Sequence, residues 1–364
     1  MLKYVITSMY NEAEVITMEK IMEKVIDKML YIEKTDVEEK CPISIIDINK
    51  WEWAQGVGLY GLYRYYEVSG NEKYLDFMKE WYAKRIAEGL PERSVNTCSP
   101  LLTLTYIHDN KKEYLDIIYE WANWLYTEHP RTEEGGIAHT GSGFIQDKEL
   151  WDDTLFMCIL FLARAGIIFN KPEWLNETKK QFLIHIKYLT DAKTGLWFHG
   201  WSFDGRHNFG KALWGRGNCW ITVGIPDYID IMGDKLEPFM KDFLVNAFSM
   251  QVEALAKYQD VSGAWHTLID DDTSYLEISA TSGFGYGILK GLRKGYLDKK
   301  YETCAKKALE AVINNIAEDG TVLNVSYGTG LKFDLDYYRT IEITPMTYGQ
   351  ALAVLCISEG MKAE

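Results

Sequence analysis

The sequence contains no run of about 18 apolar residues, so no segment of it is expected to span a membrane. It is short of basic residues. Lys and Arg number 39 against 53 Asp and Glu, a formal net charge of −14. That balance argues against nucleic acid and anionic membranes as partners. A small anionic ligand is still admissible, provided a local basic patch offsets the global field. The opening residues Met1 to Thr7 are soon followed by charge, so no signal peptide is expected. The six cysteines (Cys41, Cys98, Cys158, Cys219, Cys304 and Cys356) are scattered, and no two share metal-ligand spacing. Cys158 and Cys219 read as small core residues, and the set points to a reduced, cytoplasmic protein. There is no GxSxG motif and no Walker loop. Gly56-Val57-Gly58-Leu59-Tyr60-Gly61 fits GxGxxG by letter, but no strand precedes it and no βαβ pattern surrounds it.

What the chain does have is apolar and aromatic material, 47% hydrophobic with 12 Trp and 24 Tyr, enough for a large core. Residues 11 to 33 read as an amphipathic helix, with Val15, Met18, Met22, Val25, Ile26 and Met29 on one stripe. From there a unit recurs. An apolar helix rich in small residues is followed by a short turn and then an amphipathic helix. The apolar members start near 55, 100, 153, 219, 282 and 347. A helix apolar nearly all round is a buried one, and an amphipathic helix has one wet face. The last apolar helix has no successor, and the N-terminal helix can pair with it. The expected architecture is all-α, an (α/α)6 barrel forming a single domain over residues 1–364. The recurring glycines, among them Gly56, Gly58, Gly61, Gly283, Gly285 and Gly287, let inner helices crowd at the axis. Each costs about 1 kcal/mol inside a helix, so their recurrence needs a packing or access reason. Loops rich in Gly, Trp and His lead into the inner helices, around His139, His199, His266 and Gly320. Their alternating pattern predicts short β-hairpins at one rim, where helix N-termini favour an anionic ligand.

The stretch that carries most chemical information is Trp151-Asp152-Asp153-Thr154-Leu155-Phe156-Met157. Two adjacent acids stand at the mouth of a buried helix, where an unpaired carboxylate is costly. Helical neighbours point about 100° apart, so the two cannot face one cavity, and one is expected to cap the helix. Periodicity does not choose between them. Arg216, between Gly215 and Gly217, can fork onto a carboxylate or anchor its loop to a neighbouring acid. Trp214 and Trp220 can wall a cavity or stack on a sugar. His139, His199 and His266 lie too far apart in sequence for a strong zinc motif, and structural hydrogen bonding is the alternative reading of each.

Taken in order, Trp53 to Leu62, Asn96 to Leu104, Asp153 to Met157, Trp214 to Trp220 and Thr281 to Gly287 resemble the unsaturated glucuronyl and rhamnogalacturonyl hydrolases. These are glycoside hydrolase families 88 and 105, and the likeness is closer to family 105. The resemblance implies the same barrel, no metal and no cofactor. It implies removal of a 4,5-unsaturated uronic acid from the non-reducing end of lyase-made oligosaccharides, a step in pectin degradation. By resemblance Asp153 is the catalytic proton donor and Asp152 the cap or outer residue. The substrate-binding candidates are Asn96, His139, His199, Arg216, Trp220, Trp53 and Trp214. Asn96 stands where family 88 has a carboxylate. The expected partner is an unsaturated, acidic oligosaccharide, and the expected state a monomer or weak homo-oligomer. Two other readings share the barrel: a sugar epimerase or ordinary inverting glycosidase, and a non-catalytic oligosaccharide-binding toroid.

Overall fold

The computed structural model describes residues 18–32, 46–141 and 144–362. The chain enters on an outer helix, α1 (Met18–Leu30), and then alternates inner and outer members. Inner α2 (Trp53–Ser69) is followed by outer α3 (Glu72–Glu88), and inner α4 (Val95–Ile107) by outer α5 (Lys112–Thr127). Inner α6 opens with a π-wound stretch, Leu155–Ile159, and continues as α-helix over Leu160–Ile168 before outer α7 (Pro172–Leu189). Inner α8 (Gly215–Met232) and outer α9 (Pro238–Tyr258) precede inner α10 (Ile278–Arg293) and outer α11 (Glu302–Asn314). A short helix, α12 (Leu335–Arg339), leads into the last inner helix, α13 (Thr347–Lys362). The inner helices touch in the order α2, α4, α6, α8, α10, α13 and back to α2, and α1 packs on α13. This is the (α/α)6 barrel, closed by pairing of the two chain ends.

The inner helices start within about five residues of the positions read from the sequence. Caps account for the offsets. Ser94 and Thr97 form a capping box that draws α4 back to Val95, leaving Pro100 inside the helix. Glu277 caps α10 by accepting the Ala280 N–H at 2.6 Å. Residues 11–17 of the predicted first helix lie outside the described residues. Outer and inner members are joined by turns at left-handed residues, among them Gly70, Asp109 and Asn110, Gly233 and Gly295. The glycines inside the helices do have a packing reason. A methyl at Gly56 would collide with the Ser99–Pro100 backbone of α4, and one at Gly287 with the Thr222 carbonyl of α8.

The strands collect at one rim, where the inner helices begin. β1 (His139–Gly141) pairs with β2 (Phe144–Gln146), and β5 (Trp265–His266) with β6 (Leu276–Glu277). The third pair is not a local hairpin. β3 (Glu149–Trp151) pairs with β4 (Gly200–Ser202), about fifty residues on, with Trp151 opposite Gly200. Asp152 N–H extends this ladder by donating to the His199 carbonyl at 3.1 Å. The pairing therefore draws the 199–202 loop onto the mouth of α6.

The opposite end of the axis is closed by a buried ionic cluster. The Asp227 carboxylate of α8 accepts the hydroxyls of Tyr60 from α2 (2.6 Å) and Tyr286 from α10 (2.7 Å), and pairs with Lys290. Arg64 donates to the Tyr60 hydroxyl at 2.6 Å. Burial alone would raise the Asp227 pKa, but the Lys290 and Arg64 charges outweigh it and hold the group below its ordinary value. A carboxylate with a lowered folded pKa stabilises the fold above its unfolded pKa, and that contribution is lost as pH falls through the folded value. Lys290→Met strands a buried anion and is expected to destabilise by roughly 3–5 kcal/mol. Urea unfolding at neutral pH measures this.

Candidate active site

The rim loops and the inner-helix N-termini enclose a cavity of about 300 Å³. Such a volume lies at the small end of ordinary ligand sites. Of the eight residues singled out from the sequence, seven line it: Asp153, Asn96, His139, Arg216, Trp220, Trp53 and Trp214. His199 stands just behind, its Nε2 3.8 Å from Asp153 Oδ2. The acids are separated as steric reasoning requires. Asp153 faces the cavity with its side chain 18% exposed, while Asp152 is fully buried. Asp152, expected as the cap or the outer residue, takes the outer place. Both its carboxyl oxygens lie buried without a partner at hydrogen-bonding geometry. The ladder bond to His199 turns the Asp152 side chain under the first turn of α8 instead. There Gly217 leaves it room, since a methyl at 217 would collide with Asp152 Oδ2.

Aromatic rings fix the walls. Trp151 stacks flat on His139 (4.1 Å between centroids, 1° between planes) and meets His199 edge-on at 5.4 Å. Trp53 stacks on Tyr348 and stands edge-on to Trp220. His199 Nδ1 is 2.8 Å from the Tyr338 hydroxyl of α12. Burial pushes the His139 pKa down to about 3 and that of His199 well below the ordinary imidazole range, so both rings are neutral near pH 7.

Arg216 is more committed than its position between two glycines suggested. Nη1 donates to the Ser326 carbonyl (3.1 Å) and hydroxyl (2.7 Å) and to Ser279 (3.3 Å). Nη2 donates to the Tyr327 carbonyl and the Thr329 hydroxyl, both at 2.9 Å. Glu277 lies 3.6 Å away. The loop-anchoring reading is therefore met. Arg216 presents charge and an edge to the cavity, while its fork holds the 326–329 segment. Lys332, on the same stretch of chain, adds a second cation at the lining.

The acids respond to this surrounding. Burial raises the Asp153 pKa, opposed by the neighbouring Asp152 carboxyl, by the Arg216 charge and by the Trp220 indole. Burial beside Asp153 raises that of Asp152 further still. One oxygen each of Asp152 and Asp153 and one nitrogen of His199 lie within 4.8 Å of one another. Among the described residues this set comes nearest to a metal-ligand cluster. Only Asp153 of the three opens to the cavity. His266 takes no part; its Nδ1 contacts the Ser274 carbonyl.

Sequence reasoning missed the 329–332 segment, Gln146, Glu149 and Phe209 as lining residues. Phe209 carried one usable signal, a place in the Gly-rich stretch before α8. It adopts a left-handed conformation (φ 52°), as do Arg206 and Lys211, a pattern common near functional sites. The 329–332 segment has neither periodicity nor a motif.

The fold leaves the activity open, and the comparisons with known proteins supply the family. The family model described as Glycosyl Hydrolase Family 88 matches residues 23–363, and the chain belongs to that family. It is a glycoside hydrolase. It is 30% identical over 319 residues to "Unsaturated rhamnogalacturonyl hydrolase YesR" of Bacillus subtilis, covering 86% of this chain and 90% of that one. A Klebsiella pneumoniae structure described as a possible member of the GH105 family is 40% identical. It superposes with a TM-score of 0.91, over 97% of this chain and 96% of that one. The unsaturated glucuronyl hydrolase of Bacillus sp. GL1 shares the fold at 15% identity and a TM-score of 0.69, over 94% of this chain and 96% of that one.

Gly217→Ala forces Asp152 or Trp214 aside. Hydrolase activity is expected to fall on the order of 100-fold, the scale of an ångström-sized misplacement. The helical circular dichroism should be unchanged.

Proposed function

We propose that this hydrolase removes a 4,5-unsaturated uronic acid, galacturonyl or glucuronyl, from the non-reducing end of lyase-generated oligosaccharides. The chain acts as one catalytic domain over residues 1–364. The observation that carries this reading is the cavity's acid. Asp153 is a half-enclosed carboxyl whose pKa is raised, and an amide, Asn96, shares its cavity. An ordinary inverting hydrolase needs two carboxyls with matched acid and base roles. Glu149, the other carboxyl in the lining, is held by the Trp151 indole at 2.8 Å.

An unsaturated uronide is a vinyl ether across C4 and C5, and one acid is enough to hydrate it. Asp153 gives its proton to C4. The double-bond electrons form the new C4–H bond, and the positive charge left at C5 is shared by the ring oxygen. Water adds at C5 while the Asp153 carboxylate takes one of its protons, which restores the acid. The C5 hemiketal opens to a ketone, and the hemiacetal left at C1 expels the aglycone. Arg216 and Lys332 provide local positive charge for the uronate within a chain of net charge −14. Trp53, Trp151 and Trp220 offer ring faces to the sugar. Neutral His139 and His199 can donate to or accept from its hydroxyls. A cytoplasmic setting accords with the buried, unpaired cysteines at 98, 158, 219, 304 and 356.

The test is spectrophotometric. The protein is expected to abolish the ultraviolet absorbance of the conjugated enol in a lyase-made unsaturated disaccharide. Asp153→Asn is expected to slow this by roughly 10²–10⁴-fold. No loss of absorbance with any pectic or glycosaminoglycan-derived uronide would overturn the function. Undiminished loss in Asp153→Asn would overturn the acid. The first step needs the protonated acid, so kcat is expected to fall as pH rises through the raised Asp153 pKa.

A further inference from the structure

Asp152 takes no part in the chemistry just described, yet its placement is unusual. It is fully buried, and neither carboxyl oxygen meets a partner at bonding geometry. Isolated burial of an ionised carboxylate is prohibitive, so such a group is either paired with a cation or protonated. Among the described residues, the groups facing it leave no cation for pairing. From its own strand end comes Asp153, and from the rim loop the neutral His199, itself next to His139. From α8 come the Cys219 thiol and the Gly217 backbone, and from α12 the Tyr338 hydroxyl. Arg216 is committed elsewhere. It is held by Ser326, Tyr327, Thr329 and Glu277, and its field acts on Asp153.

We propose that Asp152 is a positioning residue that stays a neutral acid and donates its hydrogen bond to Asp153 whenever Asp153 becomes a carboxylate. This rests on the reading of Asp153 as the proton donor. It solves a problem that burial creates. An acid in an apolar pocket holds its proton too tightly to protonate a vinyl ether quickly. A neutral O–H beside it stabilises the conjugate base without adding charge, and so restores acidity. Through the cycle Asp153 loses its proton to C4 and regains one from water. Asp152 keeps its own proton and only strengthens or relaxes one hydrogen bond. The Asp152 proton and the Asp153 carboxylate thus behave as one coupled pair. Gly217 belongs to the same device, because any larger residue would displace the Asp152 carboxyl.

Two substitutions test this in the full-length protein. Asp152→Asn keeps an N–H donor toward Asp153, and activity is expected to stay within about tenfold of the original, with the basic limb of the pH–rate profile nearly in place. Asp152→Leu keeps the shape and loses the donor. Its basic limb is expected to move up by about one pH unit, and kcat to fall about tenfold or more with KM little changed. An Asp152→Leu profile with its basic limb unmoved overturns the proposal. So does an Asp152→Asn enzyme as inactive as Asp153→Asn, which would make Asp152 the acid itself. A substrate-free measurement separates this proposal from the assigned reaction. Infrared difference spectra between the unsubstituted protein and Asp152→Asn at pH 7 are expected to show the carbonyl stretch of one protonated carboxylic acid. A carboxylate band in its place overturns the proposal, even if the uronide reaction is confirmed. Thermal unfolding gives a second such check. A carboxyl whose folded pKa is raised must take up a proton on folding above its unfolded pKa, which weakens the fold there. Asp152→Asn is therefore expected to raise Tm at pH 7, with the gain shrinking toward pH 4. A lower Tm at pH 7 is the signature of a helix cap and contradicts the proposal.

Discussion

The structure is organised around the enclosure of two adjacent carboxyls at the mouth of one inner helix. Each would be ionised in water, and among the described residues neither is paired with a Lys or Arg. The rim elements converge to hold this unfavourable arrangement. The β3–β4 ladder turns Asp152 inward and Asp153 toward the cavity. The Gly217 backbone covers Asp152. The Trp151–His139 stack and the Trp220 indole wall Asp153. The opening of α6 as a π-wound stretch belongs to the same region, and such irregularities are frequent at functional sites.

The barrel tolerates that arrangement because its favourable interactions lie elsewhere. Most buried apolar side chains form one continuous core around the ring, with a second, small cluster about Trp214 and Tyr338 at the rim. At the far end of the axis, Asp227 joins α2, α8 and α10 through two tyrosine hydroxyls and Lys290. The two buried ionic clusters differ in kind. Asp227 has cations and donors enough to remain ionised, so its pKa is lowered. Asp152 has none, so its pKa is raised. One fold thus holds a charged carboxylate that braces helices and, on the reading proposed above, a neutral one that serves a reacting neighbour.

Much of the barrel was legible because inner helices, buried all round, and outer helices, wet on one face, leave different residue patterns. The ring order followed from their alternation. The site residues were legible as far as they sit at inner-helix starts or carry family motifs, as Asn96, Asp153, Arg216 and Trp220 do. What was not legible depends on contacts between distant segments. The β3–β4 pairing joins residues about fifty apart, and it alone decides which of the adjacent acids turns inward. The 329–332 segment is held at the cavity by Arg216 on Thr329 and by the Tyr337 and Tyr338 hydroxyls, which accept the Gly330 and Lys332 N–H groups, and no local pattern announces that. Which of its two expected places, cap or outer residue, Asp152 would take was hidden for the same reason. The ladder bond to the 199–202 loop had already fixed its backbone.

The central claim is that Asp153 protonates carbon rather than the glycosidic oxygen. Proton NMR of the reaction in deuterated water tests this directly. The account predicts that the vinyl H4 signal disappears in step with aglycone release and that one deuterium enters C4. Release of a free sugar that still carries its vinyl H4 signal would contradict it.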